Sequence, residues 1–409
     1  MNEYIDHGHM VQVAKDDVTT SGYYLPHHGV TKTTSETTKL RVVFDGSAAT
    51  STGLSLNDTL HVGPKIQDDL LYILLRFRIH RYVITEDIEK MYRQFLVRED
   101  DRRYQRVLWR DASGEIKTFE LQTVTFGLSA APYLAIRCLT QLAQDEGHRF
   151  PQAAKILQRD FYVDDALTGA STIREARAIR EELTQLLTLA GLNIRQWAAN
   201  QKTILEGLPE QDVNKKLHLG ESSTPKTLGI VWNSKNDSIT YEVQIRPAPS
   251  RVTKRIITSE IARIYDPLGL LGPVISAAKM LLQKIWTIKV DWDESLPMDI
   301  HSEWIQYYKQ LPMLNNVVFP RNTIPHASTI TELHGFCDAS ERAYGACAYV
   351  RSTDKRGQTH VQLLFAKSKV APLKTQSIPR LELCGALLLT NLIATAKKAL
   401  HVEIDRVVL

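Results

Sequence analysis

Two adjacent aspartates, Asp164 and Asp165, stand between the apolar runs Phe161-Tyr162-Val163 and Ala166-Leu167. No other feature constrains the chain as strongly. The flanking residues read as two short strands meeting at a hairpin, and neighbours on a strand point to opposite faces, so the two carboxylates cannot both enter one core. Side by side and uncompensated, they repel. Tyr82-Val83-Ile84-Thr85 reads as another strand, and it delivers Glu86 and Asp87 to its end in the same way. A solvated turn accounts for an arbitrary Asp-Asp pair. Three strand-end carboxylates suit divalent hard cations better, because Mg²⁺ prefers carboxylate oxygens and keeps room for phosphate oxygens. Two such ions about 3.5–4 Å apart are the usual clamp for in-line phosphoryl chemistry.

The rest of the 409 residues is consistent with a folded, multi-domain chain. Hydrophobic residues make up 43% and charged residues 23%, which excludes disordered, collagen-like and coiled-coil classes. With a net charge of only +4, any electrostatic binding has to be local. Cys138, Cys337, Cys347 and Cys384 form no C-x-x-C pair and are too sparse for a disulfide framework. They suit a reducing compartment. The longest apolar run, Cys384 to Ala396, falls short of the ~20 residues a bilayer helix needs, so no membrane partner is expected. No signal peptide and no repeat is visible.

Local patterns place the acids in context. Residues 1–20 are polar and weakly patterned, and the Thr- and Ser-rich stretch to Lys39 reads as loop. Leu40 to Phe44 is a strand, and residues 66–79 have helical periodicity. Tyr104–Trp109 and Ile116–Leu121 form a hairpin. Ser129 with Pro132 opens a helix to about Asp145, with Ser129 as its N-cap. Thr172 and Glu175 form a capping box for a helix to Gly191. Gly207, Pro209, Gly220 and Pro225 mark a boundary, after which Leu228–Trp232 and Ile239–Ile245 read as a hairpin. Residues 251–289 carry a net +5, the footprint of an element that follows duplex phosphates or of a solvated helix face. Three strands (Glu332–Cys337, Ala346–Arg351, Val361–Ala366), a helix from Pro379 to Leu400 and a strand at 402–409 close the chain. The fold class is α+β up to about residue 200, with a further α/β unit at the end.

At this point a resemblance becomes specific. Phe161-Tyr162-Val163-Asp164-Asp165 is similar to the Y-x-D-D box of reverse transcriptases, and Asp87-Ile88-Glu89-Lys90-Met91-Tyr92-Arg93-Gln94-Phe95 to their first catalytic motif. Thr125-Phe126-Gly127-Leu128-Ser129-Ala130-Ala131-Pro132 resembles the F-G-L-x-x-A-P motif between them. Leu40-Arg41-Val42-Val43-Phe44-Asp45 with Leu56-Asn57 resembles the upstream fingers motif. Leu192, Arg195, Trp197 and Asn200, then Thr227-Leu228-Gly229, resemble the motifs that follow the Y-x-D-D box. With YYLPHHGV near the start and IARIYDPLGLLGPV later, the whole resembles the Pol polyprotein of BEL/Pao-type long-terminal-repeat retrotransposons.

The resemblance implies a right-hand polymerase with fingers, a ferredoxin-like palm and a thumb/connection, followed by a truncated ribonuclease H-like α/β domain. Its divisions would be 1–22 (N-terminal segment), 23–205 (fingers and palm), 206–325 (primer-grip hairpin, thumb/connection) and 330–409 (partial ribonuclease H). It implies an RNA-directed DNA polymerase, a nucleotidyltransferase adding dNTPs to a primer 3′-hydroxyl on an RNA or DNA template. Asp87 and Asp164 would hold two Mg²⁺ ions with Asp165 in support, and the backbone of Ile88 would be a further ligand. Tyr92 would lie under the nucleotide sugar and exclude a 2′-hydroxyl, Arg41 would neutralise the triphosphate, and Phe126 and Gly127 would border the nucleotide. Leu228 and Gly229 would contact the primer. A core aromatic, a surface charge and a plain turn glycine remain alternatives for Tyr92, Arg41 and Gly127.

Asp338, at the end of the first of the late strands, and Glu382, in the first turn of the following helix, resemble the first two metal ligands of ribonuclease H. The chain ends on the strand that precedes the third, so this nuclease part is expected to be incomplete and inactive. The partners implied are a template–primer duplex and the rest of a Pol polyprotein, and the family's life cycle implies a cytoplasmic particle. The competing class is a catalytically silent nucleic-acid-binding relic of a truncated retroelement. No protease motif, zinc knuckle or integrase-like cluster is present.

Overall fold

The computed structural model describes all residues except 15–16, 20, 32–39, 112, 215, 219–227, 244–250 and 326–327. Residues 32–39 of the Thr/Ser-rich stretch, with Gly220, Pro225, Thr227 and Ile245, therefore lie outside the described residues, whereas His27–Thr31, read as loop, is a strand paired with Leu40–Phe44. The chain divides into two compact units, one of Met1–Gln67, Asp87–Asp165 and Glu181–Arg195, the other of Asp68–Glu86, Ala166–Arg180 and Gln196–Leu409.

In the first unit a three-stranded antiparallel sheet runs in the order Met10–Gln12, Ile116–Leu121, Arg106–Arg110. Phe119 and Leu121 of the middle strand are buried while Glu120 between them is not, the period-2 signature of a half-buried strand. The polar start of the chain is not loop throughout. Asn2–Asp6 is helical and Met10–Gln12 pairs with Leu121–Phe119, because two residues, Tyr4 and Met10, bury themselves beside Phe44, Val107 and Phe119. Two anchors among polar neighbours set up no periodicity, which is why the pattern alone misses them. The helix Pro151–Arg159 is likewise absent from the sequence reading, although Pro151 at its first position is a start signal.

The helix Ala131–Glu146 forms as expected, but Ser129 does not cap it. The N-cap is Ala130, and the Ser129 backbone N–H donates instead to Asn57 Oδ1 at 2.8 Å. Asn57 also donates to the Gly127 carbonyl (2.9 Å) and Ser47 Oγ (2.8 Å), so one side chain pins the Phe126–Ser129 loop.

A four-stranded sheet in the order Phe161–Tyr162, Asp165–Ala170, Tyr82–Ile88, Ile194–Ala199 carries the acids. The capping box before Ile173–Leu189 is present, with Glu175 N–H donating to Thr172 Oγ1 and Thr172 N–H to Glu175 Oε2.

The second unit contains an antiparallel sheet of Lys216–His218, Leu228–Asn233, Ser238–Val243 and Val318–Pro320. The helices Lys254–Ala262, Gly272–Thr287 and Met298–Gln310 share a core of Ile257, Leu281, Ile285, Ile300 and Trp304. A mixed sheet follows in the order Thr359–Val370, Ala343–Asp354, Ser328–Ala339, Arg406–Val408, its last pair parallel. Strand, strand, strand, helix and strand thus appear as the sequence indicates. The helix Ile378–Ala399 is, however, long and apolar enough to cross a membrane. The helix begins six residues before Cys384, at Ile378, so it is longer than the apolar run Cys384 to Ala396. Leu381, Leu388, Leu389, Leu392 and Ile393 are buried, and the Cβ that Gly335 lacks would meet Leu389 and Ile393, so this face packs on the sheet.

Of the arginines buried in this unit, Arg78 and Arg321 bind backbone carbonyls. Arg321 is 0% exposed and bonds both carboxylate oxygens of Asp237 (2.5 and 2.7 Å) and the carbonyls of Phe77 and His80. Arg78 donates to the carbonyls of Arg321, Pro320 and Leu364. One helix, the sheet ending at Pro320 and the strand Thr359–Val370 are tied by these two side chains.

Candidate metal centre

The strand Tyr82–Ile88 buries Val83, Ile84, Thr85, Glu86 and Ile88 and leaves Asp87 half-buried. The hairpin opposite turns through Val163 and Asp164. Val163 has φ +58° and Asp164 does not have a positive φ, the pattern of a type II′ turn, whose first central residue is usually glycine. A β-branched residue there is strained, and such strain persists where surrounding contacts over-determine it. Two such contacts are present. Val163 N–H donates to Gln67 Oε1 at 3.1 Å, and Ile88 N–H donates to the Asp164 carbonyl at 3.0 Å.

The result is that ligand oxygens of Asp87, Asp164 and Asp165 lie within 4.8 Å of one another. Among the described residues this is the one group of three His, Cys, Asp or Glu side chains so placed. The electrostatics is correspondingly unfavourable to the naked anions. Burial, then the charges of Asp164 and Glu89, push the Asp87 carboxyl up to about 7. Burial raises Asp164 too, although a backbone hydrogen bond and the Arg41 guanidinium pull the other way. Burial and then both neighbouring acids raise Asp165 well above the usual range. Three hard oxygen donors that resist ionisation together fit divalent cations, whose charge removes the penalty.

Of the remaining residues singled out in the sequence before residue 200, Arg41 and Ile88 are tied to this centre. Arg41, exposed on Leu40–Phe44, is close enough for its charge to act on Asp164. The Ile88 side chain is fully buried and its N–H is engaged as described. Tyr92 is buried, and its ring lies 4.5 Å from that of Phe126, which is 43% exposed. Gly127 has φ +94°, and a Cβ there would meet the Phe44 carbonyl oxygen at 2.0 Å, so packing of the chain on itself already demands glycine. Asn57 and Gln67 position the two loops, and the sequence reading gives neither of them a role. Asn57 stood in a matched motif, whereas nothing in the sequence marks Gln67.

Leu228 and Gly229 pair with Val243 and Glu242 in the second unit. Asp338 is exposed on Ser328–Ala339 and Glu382 is exposed on Ile378–Ala399. Glu382 is the fifth residue of that helix rather than part of its first turn, because the helix already starts at Ile378. A Cβ at Gly385, three residues further on, would stand 3.5 Å from the Asp338 carbonyl.

The basic stretch 251–289 is less available than its net charge suggests. Asp291, Asp293, Glu294, Asp299 and Glu303 cancel its excess. Arg255 pairs with Asp293, Lys284 with Glu303 and Asp299, and Arg263 with Glu260. Lys254 Nζ lies 3.7 Å over the Trp286 ring. The next fourteen residues supply the acids that the sequence reading left out.

Residues 253–409 match a family described as the Pao retrotransposon-like RNaseH-like domain. The match takes in the three helices before the mixed sheet as well as the sheet itself. No curated protein matches the chain. Among solved structures, the foamy viral protease-reverse transcriptase in complex with double-stranded DNA is similar, with a TM-score of 0.56 and 16% identity over 98% of this chain and 60% of that one. The same viral protein in complex with an RNA/DNA hybrid gives 0.59 and 16%, over 99% and 46%. The chain thus spans about half the length of these neighbours, and the likeness is one of fold: a mixed α/β fold resembling retroviral reverse transcriptase with an RNase H-like domain. The family match supports a Pao-type retrotransposon Pol origin for residues 253–409, and the neighbours, at 16% identity, add the fold alone.

Proposed function

We propose that this chain is an RNA-directed DNA polymerase that adds dNTPs to a primer 3′-hydroxyl in a Mg²⁺-dependent reaction. The observation that carries the reading is the convergence of Asp87, Asp164 and Asp165 within 4.8 Å. In this reading the first unit supplies fingers and part of the palm, and the sheet ending at Pro320 with the helices after it supplies the thumb/connection.

Asp87 and Asp164 would hold two Mg²⁺ ions, with Asp165 in support. When bound, the ions supply positive charge at the attacking and leaving oxygens of an in-line displacement. Arg41, whose planar guanidinium suits phosphate oxygens, draws the triphosphate toward Asp164. The Tyr92 ring, backed by Phe126, limits the space at the sugar and excludes a 2′-hydroxyl. The loop at Gly127, held by Asn57 and by its close approach to Phe44, forms the rigid border of the nucleotide site. Leu228 and Gly229 would contact the primer strand, and Asp338 with Glu382 would be two ligands of a second, ribonuclease H-type metal site. Nucleic-acid partners are supported by the neighbours, which are complexes with DNA and with an RNA/DNA hybrid.

The test is dNTP incorporation on an RNA template with a DNA primer, with and without Mg²⁺, comparing the chain with Asp164→Asn. Extension by the first alone supports the reading. If neither extends the primer while both bind it, the polymerase reading fails and a silent nucleic-acid-binding relic takes its place.

A further inference from the structure

The turn that follows Asp87 is an awkward one. Lys90 has φ +50°, a left-handed conformation that a long side chain rarely adopts. It opens the short 3₁₀ helix Met91–Gln94, which carries Tyr92. Internal hydrogen bonds from Arg93 N–H to the Lys90 carbonyl (2.8 Å) and from Gln94 Nε2 to the Glu89 carbonyl (3.0 Å) hold the turn only to itself.

From outside, its two flanks are bonded, Glu89 N–H donating to the Asn193 carbonyl and Val124 N–H to the Phe95 carbonyl (2.9 Å each), the Tyr92 ring meets Phe126, and the N-terminal helix holds the charged side chains Lys90 and Arg93. Glu3 Oε1 lies 2.5 Å from Lys90 Nζ and 3.9 Å from Arg93 Nη1. The Lys90 hydrogen bond holds the Glu3 carboxyl below its ordinary range. The Arg93 guanidinium stacks 4.1 Å over the Tyr4 ring, and that ring is buried against Phe44 and His9. Tyr4 Oη has no hydrogen-bond partner among the described residues. The ring is therefore what engages Arg93.

We infer that Glu3 and Tyr4 are positioning residues for nucleotide selection, holding the Lys90–Gln94 turn so that the Tyr92 ring keeps its place relative to Asp87. The inference rests on the polymerase reading and deepens it. Tyr92 and Asp87 belong to one short segment, and a shift in the turn between them displaces the ring while the strand bearing the acid stays fixed. Misplacement of about 1 Å in a group that orients substrate is enough to cost up to two orders of magnitude.

The experiment compares Tyr4→Ala, Tyr4→Phe, Glu3→Lys and the charge-reversed pair Glu3→Lys with Lys90→Glu in single-nucleotide insertion, and follows amide exchange at Met91–Phe95. Tyr4→Ala and Glu3→Lys are expected to raise the dNTP KM and lower discrimination against ribonucleotides, each about tenfold, with primer–template affinity unchanged. Tyr4→Phe should behave as wild type, and the reversed pair should recover most of the loss. Because Tyr4 lies in a core, the exposed Glu3 provides the arm that does not depend on tolerance of a cavity. Wild-type selectivity and exchange in Glu3→Lys and Tyr4→Ala would overturn the inference. Should the wild-type chain extend no primer, the polymerase reading fails and takes nucleotide selection with it, and faster exchange in the variants would then mark Glu3 and Tyr4 as structural only.

Discussion

Ile88 N–H donates to the Asp164 carbonyl at 3.0 Å, so the residue next to one acid is bonded to the residue that bears another. This bond sets the height of the strand end against the hairpin turn and holds like charges together that would otherwise separate. Backbone geometry here opposes electrostatics, and the opposition has a measurable sign.

The Asp87 carboxyl is raised from 3.8 to about 7 in the folded chain. Between those values the folded form keeps a proton that the unfolded form has released, so stability falls as pH rises through that window and the loss is complete above about 7. In EDTA, the wild type should lose more thermal stability between pH 5 and pH 8 than Asp87→Asn does, with a difference of a few degrees. Mg²⁺ at pH 8 should raise the wild-type Tm and leave that of Asp87→Asn nearly unchanged. Parallel pH profiles for the two proteins would show that the acids are not in conflict.

Gly127→Ala is expected to be severe. Its Cβ would stand 2.0 Å from the Phe44 carbonyl oxygen, and the contacted atom is backbone, which cannot swing away as a long side chain can. Overpacking together with a disfavoured positive φ should destabilise the first unit by about 2–4 kcal/mol. Urea unfolding followed by Trp109 fluorescence, with the other tryptophans replaced, reports on that unit. A destabilisation below about 0.5 kcal/mol, the scale of an ordinary surface substitution, would contradict the packing described.

Much of this arrangement was legible in the sequence because its signals are local. Asp164 and Asp165 at an apolar hairpin, the Thr172–Glu175 box and the strands and helix after residue 328 each announce themselves over a few residues. What escaped depends on distant partners. Met10 gains strand geometry only from Leu121, Ser129 gives its backbone N–H to Asn57 while Ala130 becomes the N-cap, and the charge of 251–289 is cancelled by acids that begin at Asp291. Gln67, which supports the Val163 turn from 96 residues away, has no pattern around it to read.

Arg321 and Asp237 form a pair that the sequence does not advertise. Burial alone would raise Asp237, but Arg321, with help from Trp232 and Asn200, holds its carboxyl below the usual value. Arg321→Ala leaves a carboxylate and several carbonyls without their donor, and should cost about 3–5 kcal/mol. Arg321→Lys should recover little of this, since an ammonium cannot reproduce the two-pronged contact. The depressed pKa adds a pH signature: the pair's contribution is full above about pH 4 and is lost as pH falls through the lower, folded-state value. Equilibrium unfolding of the three proteins would test the account, and full rescue by lysine would refute it.

The pairing of Arg255 with Asp293 and of Lys284 with Glu303 and Asp299 leads to an expectation about nucleic-acid binding. If these cations neutralised phosphates, replacing both should reduce the slope of log K against log[salt] by about 0.9 for each phosphate no longer neutralised. In the structure each already has a carboxylate partner, and a phosphate drawn to either cation would also meet that acid. Arg255→Gln with Lys284→Gln should therefore bind an RNA/DNA hybrid with a salt slope unchanged to within about 0.3. Arg41→Gln provides the contrast: its charge acts on Asp164, so its removal should weaken dNTP use while leaving duplex affinity intact. A slope reduced by nearly two in the double variant would return the 251–289 stretch to the role its sequence first suggests.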